Sequence, residues 1–82
     1  MKPPPFVVRR TQGNHLPVWR EYRQNETYVS TMIGKIRGDT LPLKRDLEIL
    51  TGVSANFAAG RRLRLDGDHY VLVKKYLASI GF

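Results

Sequence analysis

His15 and His69 are the only histidines in a chain of 82 residues that contains no cysteine. Thiolate chemistry, disulfides and cysteine-rich metal sites are therefore excluded. The two histidines lie far apart, and no HExxH-like spacing joins either to a carboxylate. There is no glycine-rich phosphate loop and no serine nucleophile elbow. Asp66-Gly67-Asp68 lacks the remaining ligands of a calcium loop. The seven carboxylates are scattered along the chain, and most are explained as helix caps or strand-face residues. These patterns predict no catalysis, no bound metal, no cofactor and no small-molecule substrate.

Cationic chemistry is the stronger signal. Fourteen Lys and Arg against seven Asp and Glu give a net charge of +7 and a pI near 10.3. In one small domain that balance points to a polyanion, above all nucleic acid. Arg9, Arg10, Arg20, Arg23, Arg37, Arg61, Arg62 and Arg64 all fall on expected strands, strand ends or turns. Trp19 and Tyr22 interleave with them. Guanidinium groups pair with phosphates and stack on unpaired bases, so basic strands with aromatics suit RNA. Trp19 fits the core or an RNA-facing position. Lys35 closes the same strand region, and Lys74 and Lys75 add positive charge on a helix. The candidate RNA-binding set is therefore Arg9, Arg10, Trp19, Arg20, Arg23, Lys35, Arg37, Arg61, Arg62, Arg64, Lys74 and Lys75. No RNP-type aromatic signature accompanies it, so base-specific reading is not expected.

The elements that must position these residues follow from hydrophobic period. Residues 1–5 hold three prolines, a stiff extended lead-in. Phe6 to Thr11 reads as a strand and Gln12 to Leu16 as a loop. Pro17 to Arg23 reads as a second strand, with Val18, Arg20 and Tyr22 on one face and Trp19, Glu21 and Arg23 on the other. After a polar turn at Gln24 to Glu26 comes a β-branched run, Thr27 to Arg37, in which Gly34 suits a register-swapping bulge. Asp39 or Thr40 caps a helix with Pro42 in its first turn, Leu43, Leu47 and Leu50 as its apolar stripe, and Gly52 at its end. Val53 to Phe57 reads as a short strand, followed by a turn over Ala58-Ala59-Gly60. Arg61 to Asp66 alternates, with Leu63 and Leu65 inward and Arg62 and Arg64 outward. Gly67 turns the corner, and Asp66 or Asp68 caps a last helix that presents Tyr70, Val73, Leu77 and Ile80 on one face. Gly81 ends it, and Phe82 is expected to fold back onto the core.

No apolar run reaches the roughly 18 residues of a membrane span, and the opening segment reads as neither a signal nor a transit peptide. Residues 6–82 are expected to form a single α+β domain. The expected fold is a two-layer plait, an antiparallel or mixed sheet of four to five strands with two helices on one face.

The stretch NHLPVWREYRQNETYVSTMIGKIRGD resembles the mitochondrial large-subunit ribosomal protein family numbered forty-nine. That family opens with a strand like FVVRRT, continues with an "N-LPVY" strand, and has a β-rich run ending in "RKI-GD". Asn14, Leu16, Pro17, Val18, Lys35, Ile36, Gly38 and Asp39 match, and Trp19 stands where an aromatic, usually Tyr, is expected. His15 is inserted before Leu16, and Gly34 replaces a commonly basic residue. Gly67, Asp68, His69, Val73, Lys74, Leu77, Gly81 and Phe82 are similar to the end of that family. They also resemble the end of the SUI-type translation initiation factor one family, whose basic glycine-rich hairpin is missing from QGNHL.

The resemblance implies a structural constituent of the mitochondrial large ribosomal subunit. Such a protein would bind ribosomal RNA and other large-subunit proteins, sit in the matrix ribosome and touch no membrane. The alternatives are a SUI-type initiation factor that binds the small subunit, and an interaction module whose basic face meets an acidic protein.

Overall fold

The computed structural model describes residues 5–23 and 28–82. Pro3 and Pro4 of the lead-in, the polar turn at Gln24 to Glu26 and Thr27 lie outside the described residues. The elements are β1 (Phe6–Val8), β2 (Val18–Arg23), β3 (Tyr28–Ile33), β4 (Ile36–Gly38), α1 (Thr40–Thr51), β5 (Ala55–Ala58), β6 (Arg62–Asp66) and α2 (Tyr70–Ser79). The α+β class is as expected, but the strands form two antiparallel sheets. Four strands run in the order β2-β3-β6-β5, and β1 pairs with β4 in a separate two-stranded ribbon.

The division happens at Gly34-Lys35. The β-branched run does not continue through a bulge. It stops at Ile33, and the chain leaves the larger sheet to pair Val8 with Ile36 and Phe6 with Gly38. The step brings Ile33 and Ile36, three residues apart, into one core although strict alternation would set them on opposite faces. The first strand is also shorter than FVVRRT suggests. Beyond Val8 only Arg9 keeps a bond to this region, donating its backbone N–H to the Lys35 carbonyl at 3.0 Å.

Register settles the two faces of the four-stranded sheet. Val18, Ile33, Leu63 and Phe57 stand in one row, and Thr31, Leu65 and Ala55 in the next. This face carries the core, which Leu43 and Leu47 of α1 and Val73 and Leu77 of α2 complete. Both helices thus cover the same side. Leu77 has no exposed surface, so its truncation to alanine removes roughly 2–5 kcal/mol from a small core.

Capping matches the residues present. Asp39 accepts the Leu41 N–H at 3.1 Å to start α1, and left-handed Gly52 ends it by donating to the Glu48 carbonyl. Ahead of α2, Asp68 accepts the Tyr70 N–H at 3.3 Å. The far end of α2 is a Schellman turn: Phe82 N–H donates to the Leu77 carbonyl at 3.0 Å and Gly81 N–H to Ala78 at 3.2 Å. That turn delivers the Phe82 ring to within 5.9 Å of Phe6.

Candidate nucleic-acid interface

The sheet face away from the helices carries the residues that alternate with the core. Trp19, Met32, Arg64 and Asn56 stand in one row across all four strands. Arg62 neighbours Arg64 on the same face of β6. The Trp19 ring lies against Gly34: a Cβ there would sit 3.1 Å from the ring, and 3.7 Å from the Arg62 side chain. Glycine at 34 is therefore the floor on which the indole rests, and Trp19 is half-buried on the open face, not in the helix-side core. Met32, between Trp19 and Arg64, is buried, so neighbouring side chains close over it.

Arg62 and Arg64 take the outward side that the arginine–leucine alternation implies. Arg62 Nε donates to the Ala59 carbonyl at 2.6 Å, which stiffens the turn before β6. Arg64 is different: its Nε is fully buried and finds no hydrogen-bond partner. An unsatisfied buried donor on a charged group is costly.

A second basic surface adjoins this face. Arg9, Lys35, Ile36, Arg37, Gly60 and Arg61 line a cleft of about 330 Å³ between the β1–β4 ribbon and the β5–β6 turn. Arg61 is fixed there by donating to two backbone carbonyls, Ile36 at 3.2 Å and Gly38 at 2.8 Å.

The remaining candidates are held in other ways. Arg20 faces the helices. Its Nε donates to Asp68 at 2.9 Å, and its guanidinium lies 4.4 Å from the centre of the Tyr70 ring. That bond to Arg20 is the main reason the Asp68 carboxyl is held below the ordinary carboxylate range. Lys74 Nζ lies 4.9 Å from the centre of the same ring and donates to the Tyr70 hydroxyl. Arg10 donates to the carbonyls of Asn14 and Phe82, tying the loop before β2 to the end of the chain. Arg23 stands 3.8 Å from Glu21 on its own strand. Lys75 borders a shallow depression with Val71, Leu72 and the Arg20–Asp68 pair, well separated in sequence from the residues of the basic cleft.

The structure thus gathers Trp19, Arg62 and Arg64 on one face, and Arg9, Lys35, Arg37 and Arg61 in the cleft beside it. It keeps Arg10, Arg20 and Lys74 on protein partners. Met32, Asn56 and the platform role of Gly34 are the additions. Alternation puts Met32 on the right face, but only strand register sets it between Trp19 and Arg64. Among the described residues no group of three or more His, Asp or Glu side chains is placed to hold a metal ion, and no helix is long and apolar enough to cross a membrane.

A family model for the mitochondrial large subunit ribosomal protein (Img2) matches residues 4–82. The large ribosomal subunit protein mL49 of Schizosaccharomyces pombe is 35% identical over 81 residues, covering 94% of this chain and 77% of the relative. Neither match supports the SUI-type initiation factor alternative. The match runs from the lead-in through both basic surfaces to Phe82, and the chain belongs to the mitochondrial large subunit ribosomal protein (Img2) family.

Proposed function

We propose that this mitochondrial large-subunit protein is a non-catalytic architectural component that binds ribosomal RNA through the open face of its four-stranded sheet. The observation that carries the reading is the row Trp19–Met32–Arg64, with the indole laid on Gly34 and the half-buried Arg62 and Arg64 beside it on the same face. An RNA strand supplies what that face lacks: phosphate oxygens for guanidinium donors and flat bases for the indole. The affinity is largely electrostatic and blind to sequence. Neighbouring ribosomal proteins meet the apolar residues left outside the basic surfaces, among them Ile49, Val71 and Leu72, which are exposed.

The test is the double variant Arg62→Gln and Arg64→Gln. Each lost phosphate contact lowers the log–log salt slope of RNA binding by about one unit. The variant is expected to fold, because neither guanidinium is paired with a carboxylate among the described residues. It is also expected to enter the large subunit poorly in sedimentation profiles. A folded variant with the wild-type salt slope and normal incorporation would show these arginines to be a solubilising face.

A further inference from the structure

We infer that the cleft between β4 and the β5–β6 turn is a separate phosphate site, built to hold a backbone phosphodiester of a bound RNA strand at one fixed position. The inference rests on the RNA-binding reading above and adds a second, geometrically distinct contact to it. Four of the six residues lining the cleft are cations, namely Arg9, Lys35, Arg37 and Arg61, and none is an acid. Among the described residues none of the four is paired with a carboxylate. Like charges gathered in a concavity repel one another and focus a positive field, which an anion relieves.

Backbone conformation points to the same place independently. Among the described residues three non-glycines have positive φ: Asn14 at 64°, Lys35 at 51° and Arg61 at 57°. Asparagine tolerates the left-handed region, whereas lysine and arginine occupy it at a cost. Both strained cations line this cleft. Glycine stands immediately before each, at Gly34 and Gly60, yet the left-handed positions at 35 and 61 carry long basic side chains. Gly34 instead serves as the floor for Trp19, where any Cβ would crowd the ring. Strain retained at two residues of one cleft, where the strained residues are the charged ones, marks a site arranged for a ligand.

Arg61 gives that site a rigid back. Its Nε and one terminal nitrogen are occupied by the Ile36 and Gly38 carbonyls, which fixes the plane of the guanidinium and leaves the other terminal nitrogen for an oxygen anion. Lys35 and Arg37 flank Ile36 on the opposite wall and supply charge from a strand pinned to β1 by the Arg9–Lys35 backbone bond at 3.0 Å. The cleft residues also adjoin those of the sheet face along the chain, since Lys35 follows Gly34, on which Trp19 rests, and Arg61 precedes Arg62. A nucleic-acid strand crossing from one to the other keeps its phosphates among cations throughout. An acidic peptide would pair its carboxylates with the cations of the cleft but would leave the flat indole beside it without a stacking partner, so RNA is the occupant the surroundings favour.

The experiment uses the full chain and a fluorescein-labelled oligouridylate, with affinity measured by anisotropy across a salt series. Lys35→Asn keeps a residue that accepts the left-handed conformation and removes the charge; Lys35→Gly is the second variant and carries no backbone penalty. Arg61 is left intact because its carbonyl bonds hold the turn. Expected are a melting temperature equal to or above wild type, a salt slope lower by about 0.7 for Lys35→Asn and by about twice that for Lys35→Asn with Arg37→Gln, and recovery of the slope in Lys35→Arg. An unchanged slope in the cleft variants, with a lowered slope in the Arg62→Gln and Arg64→Gln pair, would overturn the cleft as a phosphate site and leave RNA binding by the sheet standing. No oligouridylate binding by wild type would remove both readings. Tighter binding of polyglutamate than of oligouridylate, lost in Lys35→Asn, would reassign the cleft to an acidic protein.

Discussion

Thr31 offers a sharp test of how the sheet is joined to α2. It lies on the helix-side face of β3 with no exposed surface. Its Oγ1 donates to the Gly67 carbonyl at 2.9 Å and accepts the His69 N–H at 2.8 Å. One hydroxyl therefore satisfies both an acceptor and a donor of the corner that turns β6 into α2. Thr31→Val keeps the volume and the β-branched shape but leaves two backbone groups without partners. Each such group costs roughly 1–3 kcal/mol when it stays dry, and partial access of water to the corner sets the expected total at about 2–4 kcal/mol. For a domain of this size that corresponds to a fall of roughly 10–25 °C in melting temperature. Thr31→Ser keeps both bonds and loses one methyl group, a loss of about 1 kcal/mol. Thermal and urea melts followed by circular dichroism compare the two. If the valine variant melts with wild type, or if serine proves worse than valine, the hydroxyl is not what holds the corner, and the methyl's packing is the larger effect.

Two further perturbations address the ribbon and the helix ends. At Gly38, φ is +88° and a Cβ would stand 2.6 Å from the Pro5 carbonyl, whereas at Gly52, φ is +76° with nothing within 4 Å. Gly52→Ala is expected to cost about 1–2 kcal/mol from conformation alone, and Gly38→Ala distinctly more; equal losses in denaturant melts would rule out the steric argument. Stability also falls at both pH extremes. Glu48 is held below the ordinary carboxylate range first by the Ala55 N–H and then by Lys44, so its contribution is present above about pH 4 and disappears as acid protonates it. Tyr76 is pushed up by burial and by its hydroxyl bond to Asp46, so its contribution is complete below about pH 10 and is lost as pH rises further. Glu48→Gln should flatten the acid limb of a melting temperature–pH profile and Tyr76→Phe the alkaline limb, and unchanged limbs would contradict these assignments.

Local pattern made much of the fold legible. The Arg-Leu alternation of β6, the stripe Leu43–Leu47–Leu50 and the stripe Tyr70–Val73–Leu77–Ile80 are each set by burying one face, and each is recovered with its expected burial. The caps at Asp39 and Gly52 are equally local. What pattern did not reveal is the parting of β4 from β3. The run from Tyr28 to Ile36 is β-rich throughout, and its division depends on β1, a partner remote in sequence. The cleft was hidden for the same reason. Arg9, Lys35 and Arg61 become neighbours only once β1 has paired with β4 and the β5–β6 turn has come against that ribbon.

Arginine count is a poor guide to the proposed RNA-binding surface, because the same side chain satisfies its donors in physically different ways. Arg20 meets a carboxylate 48 residues away, and the pair has little reason to exchange that partner for a phosphate. Arg61 satisfies two backbone carbonyls, which accept hydrogen bonds but cancel no charge. It fixes the chain and still projects a positive charge. Arg64 satisfies neither condition at Nε, so it carries both an uncancelled charge and a missing hydrogen bond. In the proposed complex a phosphate therefore gains charge neutralisation at Arg61 and gains least at Arg20. The ordering follows from the type of acceptor each arginine has already found, a property of the tertiary fold that alternation along a strand does not encode.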